Sequence, residues 1–534
     1  MMTDFSTITT EELEKMDTKA HIAIIKSLQG QLSVISNQLN FLTEQIALMN
    51  QRSFGRKTEK ADVLSQQLSV FDYFNEPEAL CDDSPEPDVR EVVISGYTRA
   101  SKTKREEKLE GLPARIFDHK IEPKELEALF PDGYKELPEE VYKRLSIIPQ
   151  TFLVDEHHIH VYASKNNDGT IIRAKRPADV FRNSIATPSL LSAMIVSKYA
   201  NHVPLERQSR YFADNGVRLD TNTMANWMIK ASDIHLSSIY EEMHKRLFDS
   251  GIIHADETPF EVIRDGRSAG SKSYMWVYRT GKGDKHPIIL FDYQPTRRTD
   301  HPDEFLKDYS GILITDGYQV YHSLEKKREG LMVAGCWVHA KRKFAEIIKA
   351  DDDGKADKII AAEAARRISA LFNMDEEYDS YTRTAREKAR QRDMQKPVDE
   401  FFEWAKSAIR KVPAESATAK GLQYCINQEP FLRVFLKNGD VPMDNNLAEQ
   451  AIRPFTLGRK NWVNMSSPRG AQASAILYSL VETARANHLR LHDYFEYLIT
   501  ELSVHKDDQD RSFISTLLPW SKTIQQKFRA ESKK

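Results

Sequence analysis

The sequence predicts a multidomain α+β protein: an N-terminal coiled coil, a helix-turn-helix region, and an α/β domain interrupted by a helical insertion. Three observations carry this expectation. A heptad stripe runs through residues 25–49, two helical patterns flank a turn at Asn215-Gly216, and short β-rich runs alternate with helical ones from 250 to 345. At 534 residues the chain is too long for one core, and at roughly 100–200 residues per domain it should hold about three to five.

Composition narrows the class. Apolar residues at 40% and charged residues at 29% suit a globular, helix-rich chain and exclude a wholly disordered or collagenous one. No run approaches the ~20 uncharged apolar residues of a membrane span. The acidic start, MMTDFSTITTEELEKMD, lacks the basic and then apolar pattern of a signal peptide. Cys81, Cys336 and Cys425 are odd in number and far apart, which supports neither a disulfide framework nor a four-cysteine zinc site and fits a reducing cytoplasm. The net charge of −3 does not exclude DNA binding, because local patches outweigh the sum.

Within residues 1–50, Ile25, Leu28, Leu32, Ile35, Leu39, Leu42, Ile46 and Met49 alternate spacings of three and four. Such strict 3.5-residue periodicity favours a left-handed coiled coil, with a parallel dimer as the expected use and an intramolecular helical hairpin as the alternative. Residues 51–112 form an expected linker: 76–91 hold seven acids and one Arg with Pro77, Pro85 and Pro87 interleaved, and Arg99, Lys102, Lys104 and Arg105 follow. In 113–165, LSIIPQTFLV and HHIHVYAS suggest short strands, with His157, His158 and His160 exposed on one of them rather than holding metal.

The helical region 166–247 is basic where it begins. Arg173, Lys175, Arg176, Arg182, Lys198, Arg207 and Arg210 face only Asp179 and Glu206, a net +5 over residues 170–210. TPSLLSAMIVSKYANH predicts a helix closed before Pro204. LERQSRYFADNGVRLDTNTMANWMIKA predicts two helices about a glycine turn, the second capped by Asp220 or Thr221. That is a helix-turn-helix arrangement, which can lay its second helix in a major groove.

Chemistry concentrates after residue 248. SGIIHADETPF and GILITDGY are apolar runs that each end at an acid, so Asp256 and Asp316 are expected at the ends of neighbouring buried strands, side by side. Paired carboxylates repel unless a cation bridges them, and hard oxygen donors suit Mg²⁺ or Mn²⁺. In MDNNLAEQAIRPFTLGRKNW (443–462), Asp444 is the expected N-cap. Asn445, Glu449 and Arg453 fall at i, i+4 and i+8 on a polar face opposite Leu447, Ala448, Ala451 and Ile452. Three acids of this kind are what two-metal phosphoryl chemistry requires.

HADETPF, TDGY, GCWVHAKRKF and DNNLAEQAIRPFTLGRKNW, together with the zipper, FGRKTEK and LLPW (517–520), resemble the signature blocks of the insertion-sequence-66 family of bacterial DDE transposases. The resemblance implies a ribonuclease-H-like catalytic domain in two parts, 248–345 and 440–490, separated by a helical insertion over 346–439 and followed by a C-terminal helical tail, 491–534. Asp256, Asp316 and Glu449 would be its acidic triad and metal ligands. Cys336 and His339 resemble a C-x-x-H signature, read as shaping the site. Asn445 and Asn446 would orient the Glu449 helix. The implied DNA contacts are Arg173, Lys175, Arg176, Arg207, Arg210, Arg453, Arg459 and Lys460, while Trp462 is expected to pack.

Residues 113–165 depart from the family pattern, because no cysteine stands where a zinc-finger-like segment is usual, and no zinc is expected there. The expected function is cleavage and strand transfer at the terminal inverted repeats of an insertion element. The protein would act in the cytoplasm at the nucleoid, as a homodimer or larger oligomer, with possible accessory proteins of the same element. A non-catalytic dimeric DNA-binding protein shares the zipper and helix-turn-helix, and a nuclease that cuts without joining shares the triad.

Overall fold

The computed structural model describes residues 151–163, 171–349 and 359–530, with a few before them, chiefly 18–22 and 24–32. Residues 1–72 with 177–529 form one compact unit, and residues 73–176 with 530–534 another. In the second unit, β1 (Val161–Ala163) and β2 (Ile171–Arg173) make a short antiparallel hairpin. His157, His158 and His160 are exposed, as expected, but they precede β1 rather than lie on it.

Residues 24–32 are helical, with Ile24 buried and Ile25, Leu28 and Leu32 of the heptad stripe exposed. Ile35, Leu39, Leu42, Ile46 and Met49 lie outside the described residues, as do the 51–112 linker and most of 113–150.

From residue 177 the larger unit continues with four helices: α1 (Pro188–Ile195), extended by a wider turn to Ala200, α2 (Leu205–Asp214), α3 (Thr221–Ala231) and α4 (Ser237–Leu247). Thr187 Oγ1 accepts the Leu190 N–H at 3.2 Å, and Pro188 occupies the first turn, where a missing N–H costs nothing. Gly216, at φ +84°, turns the chain between α2 and α3.

The sheet follows: β3 (Ile252–Glu261), β4 (Lys272–Thr280), β5 (Ile289–Gln294), β6 (Gly311–Thr315) and β7 (Leu331–Gly335). Its order is β5-β4-β3-β6-β7. The first three strands run antiparallel, and β6 and β7 continue parallel to β3. Helices α5 (Asp300–Phe305) and α6 (Gln319–Lys327) make the crossovers. β4 carries Trp276 and Tyr278 fully buried on one face while Met275 and Val277 are buried on the other, which requires cover on both sides.

Both sheet edges are closed by side chains. After β7 come α7 (Trp337–Lys349), α8 (Ile360–Glu376), α9 (Arg383–Ala389), α10 (Gln395–Ala408), α11 (Ala417–Leu432), α12 (Asn446–Trp462), α13 (Pro468–Ala486), α14 (Leu491–Val504) and α15 (Lys522–Phe528). On α13, Ser479 and Thr483 sit one turn apart and each exchanges hydrogen bonds with β5: Ser479 with Phe291, Thr483 with Ile289. At the other edge the Val333 N–H donates to the Glu325 carboxylate at 2.8 Å. Open strand edges invite foreign pairing, and both are blunted here.

The α8–α11 insertion is not a separate body. Its core of Phe401, Phe402, Leu432 and Phe435 is continuous with Ile314 of β6 and Trp337 of α7. Arg390, about 1% exposed, pins it by pairing with Asp375 at 2.6 Å and donating to the carbonyls of Phe435, Asn438 and Val441. The segment expected as a C-terminal tail is also built in: α14 packs on α1, and Tyr494, Phe495, Leu498 and Ile499 are fully buried.

Candidate active site

β3 and β6 pair in parallel with Ile252 opposite Ile312 and His254 opposite Ile314, an offset of 60 residues. Carried two residues further, that register sets Asp256 level with Asp316. The sequence expectation of two strand-end aspartates needs one correction. Asp316 follows β6 directly, but Asp256 lies inside β3, because Glu257–Glu261 go on pairing with Trp276–Lys272 of β4.

The loop after Asp316 is tightly made. Asp316 Oδ1 accepts the Tyr318 N–H at 2.9 Å, and Gly317 takes φ +91° with Gln428 and the Tyr424 hydroxyl too close for any Cβ. Tyr424 donates to the Asp316 carbonyl at 2.6 Å and Gln428 to that of Gly317 at 3.3 Å. Both belong to α11, so the insertion buttresses this turn.

Glu449 comes from the first turn of α12, where an acid also suits the helix dipole. Asn445, not Asp444, occupies the cap position; Asp444 Oδ1 instead accepts the Asn446 N–H at 2.9 Å. Asn445 also departs from the polar face it shares by spacing with Arg453, which is half-buried. Asn445 is fully buried, donating from Nδ2 to the Ala255 carbonyl at 2.9 Å and bonding His254 Nδ1 through Oδ1 at 2.9 Å. One side chain thus ties the start of α12 to the β3 residues preceding Asp256. Burial pushes His254 down to about 4, so its ring is neutral. Asn446 is half-buried.

The Cys336–His339 segment faces the same turn. Cys336 Sγ accepts the Asn445 N–H at 3.3 Å, and burial pushes the thiol up to about 12. His339 Nδ1 stands 3.6 Å from Glu449 Oε1. Arg342, one turn further along α7, reaches both Glu449 oxygens from Nη2, at 3.1 and 3.3 Å, and its Nη1 lies 3.3 Å from His339 Nε2.

Electrostatics join the three acids. Burial holds the Asp256 carboxyl well above the usual range, and the neighbouring charges of Glu257, Asp316 and Glu449 push it the same way. Glu257 is a fourth carboxylate that sequence reasoning passed over. Its side chain is about 1% exposed, paired with Arg297, and accepts the Tyr321 hydroxyl at 3.1 Å. Arg297 in turn lies 3.6 Å from the Tyr318 ring centroid. Adjacency to Asp256 was the only available signal for Glu257; for Arg342 it was the three-residue step from His339.

The donor chemistry fits hard divalent cations: carboxylate oxygens whose mutual repulsion a cation relieves. Among the described residues, no three His, Cys, Asp or Glu side chains converge closely enough to hold one ion as they stand. Glu449 engages Arg342 instead.

The basic residues are scattered by comparison. Arg207 and Arg210 are exposed on α2, and Arg173, Lys175 and Arg176 are exposed in the other unit. Lys460 is exposed and Arg453 half-buried, both on α12. Arg459 is committed to β3, donating to Thr258 Oγ1 at 3.2 Å and to the Pro259 carbonyl. Trp462 packs beside Tyr478 and over Gly458, where a Cβ would collide with both, while Lys198 covers its ring at 4.9 Å.

The family described as "Transposase IS66 family" matches residues 183–473, a span holding all three acids. Residues 41–116 match "Transposase C of IS166 homeodomain", and residues 479–520 match the "IS66 C-terminal element". Relatives in Sinorhizobium fredii (strain NBRC 101917 / NGR234) include uncharacterized protein y4qI, 29% identical over 390 residues, covering 71% of this chain and 70% of that one. Uncharacterized protein y4jD is 24% identical over 512 residues, covering 93% and 97%.

Proposed function

Because the chain belongs to the IS66 transposase family, we propose that it cleaves DNA at the ends of an insertion element and joins those ends to target DNA. The observation that carries this reading is the β3–β6 register, which levels Asp256 with Asp316, together with the Asn445 tie that brings Glu449 to the same sheet surface. An antiparallel β5-β4-β3 meander continued by parallel β6 and β7 supports a ribonuclease-H-like domain.

Asp256, Asp316 and Glu449 would hold divalent metal, which when bound activates the attacking oxygen and stabilises the leaving one. The protein's own residues supply position and charge. Asn445 and Cys336 fix the first turn of α12, Tyr424 fixes the Asp316 loop, and Arg297 pairs with Glu257 and offsets part of the fourth carboxylate's charge. Hydrolysis at the element end frees a 3′-hydroxyl, which then displaces an oxygen at a target phosphodiester. Neither step needs a covalent protein intermediate, because orientation and charge stabilisation suffice. Arg207, Arg210 and Lys460 are the exposed cations assigned to phosphate in this unit, and the heptad stripe would bring two protomers, hence two element ends, together.

The test is an assay with labelled element-end DNA and supercoiled target. Mg²⁺-dependent nicking and joined products from the wild type, both absent in Asp256→Asn, are expected. Nicked ends that never join would establish a nuclease instead, and binding without chemistry in either Mg²⁺ or Mn²⁺ would overturn the catalytic reading.

A further inference from the structure

We propose that Arg342 is a latch on the third carboxylate: it holds Glu449 in the metal-free protein and releases it when a substrate phosphate takes the guanidinium. This rests on the reading of Asp256, Asp316 and Glu449 as metal ligands.

Three features of the geometry point to it. Cys336, just before α7, and His339 and Arg342 on it are spaced by three, so they meet the start of α12 in order: thiol to the Asn445 N–H, imidazole to Glu449, guanidinium to Glu449. Among the described residues, Glu449 is the one member of the triad in an ion pair, and no three ligating side chains converge on a common point. Exposure is lopsided: the Glu449 side chain is 12% exposed and that of Arg342 49%. The carboxylate is therefore fixed in place while its cation sits at the rim, on a long stem that can swing into solvent at small cost.

A divalent ion and Arg342 compete for the same oxygens, so the guanidinium lowers metal affinity while it stays. Glu449 engages a single nitrogen of Arg342, Nη2, whereas a phosphodiester can take the guanidinium fork with two oxygens. DNA entering the site thus frees Glu449, and by linkage metal and DNA each tighten the other's binding. The ion pair keeps the site from filling before substrate arrives.

Binding of Mn²⁺ alone to the full chain, followed by the electron paramagnetic resonance signal of the free ion, tests this. Arg342→Gln should bind Mn²⁺ at least about threefold more tightly than wild type without DNA, the scale of a half-exposed ion pair. Arg342→Lys keeps the charge and should stay near the wild-type value. A non-cleavable element-end duplex should tighten Mn²⁺ binding to wild type and do so much less for Arg342→Gln. Unchanged or weaker Mn²⁺ binding by Arg342→Gln, with its thermal midpoint intact, would overturn the latch. If neither protein shows Mn²⁺ binding that Asp256→Asn removes, the metal-site reading itself fails and the latch falls with it.

Discussion

The two aspartates and the glutamate reach the candidate site by different physics. Asp256 and Asp316 are set level by backbone, through a parallel register with an offset of 60 carried two residues past its last pair, and Tyr424 and Gln428 then hold the turn after Asp316. Glu449 lies 133 residues beyond Asp316 and is placed by side chains, namely Asn445 on β3, Cys336 on the Asn445 N–H, and Arg342 and His339 on the carboxylate. Backbone register survives the loss of any one side chain, whereas a buried polar network does not.

The largest expected effects break the chemistry without touching that difference. Asp316→Asn and Glu449→Gln should each lower strand cleavage by about 10³-fold or more, since each removes a charged oxygen from the reacting centre. Asp316→Asn should leave thermal unfolding unchanged, because its turn bonds mainly through backbone and an amide oxygen can still accept the Tyr318 N–H. Equal activity in wild type and either variant would remove that acid from the site.

Asn445→Ala breaks the side-chain half of the comparison. It leaves the Ala255 carbonyl and His254 Nδ1 unpaired in a fully buried place, so urea denaturation should show a loss of about 2–3 kcal/mol. Cleavage should fall as well, although Asn445 touches no carboxylate. Loss of stability with full activity would mean that the α12 start is held by packing alone.

The same division explains what the sequence disclosed. Apolar runs ending at acids are local patterns, so the strands and the spacing of Asp256 and Asp316 were legible, as were the two helices about Gly216 and the helical insertion. Asp256 was misplaced at a strand end because TPFE carries no apolar run, and only its pairing with β4 extends the strand. Helical periodicity grouped Asn445 with Glu449 and Arg453 on one polar face but could not say that the cap residue turns inward to β3. Arg459, expected at DNA phosphate, bonds Thr258 and the Pro259 carbonyl, partners about 200 residues away that no local pattern encodes. Glu257 and Arg342 depend on partners 40 and 107 residues away, a relation that no local pattern encodes.

A second carboxylate sharpens the electrostatic side. Asp292 on β5 is held up to about 7, and burial alone raises it, whereas neighbouring charges contribute at Asp256. Between the unfolded value of ~3.9 and 7 the native state binds the extra proton, so this contribution to stability falls as pH rises through that window. From pH 5 to pH 8 the loss should be about 2–3 kcal/mol, absent in Asp292→Asn. Divalent metal should leave this dependence unchanged, because burial and the Gln294 hydrogen bond, not a neighbouring carboxylate, set the Asp292 proton affinity. A metal-sensitive pH dependence that Asp292→Asn abolishes would contradict the assignment.

The smallest effect expected is at the sheet edge farthest from β7. Thr483 donates to the Ile289 carbonyl at 2.9 Å and accepts its N–H at 3.0 Å, so its hydroxyl completes an edge strand that has no neighbour there. Thr483→Val keeps the shape and removes both bonds, which should cost about 1–2 kcal/mol in urea unfolding. Here a side chain secures backbone far from the chemistry, so cleavage should be unaffected at temperatures where the variant is folded. If cleavage fell in proportion to stability, the β5 edge and the acidic site would be coupled through β4. Register alone would then no longer account for the placement of the two aspartates.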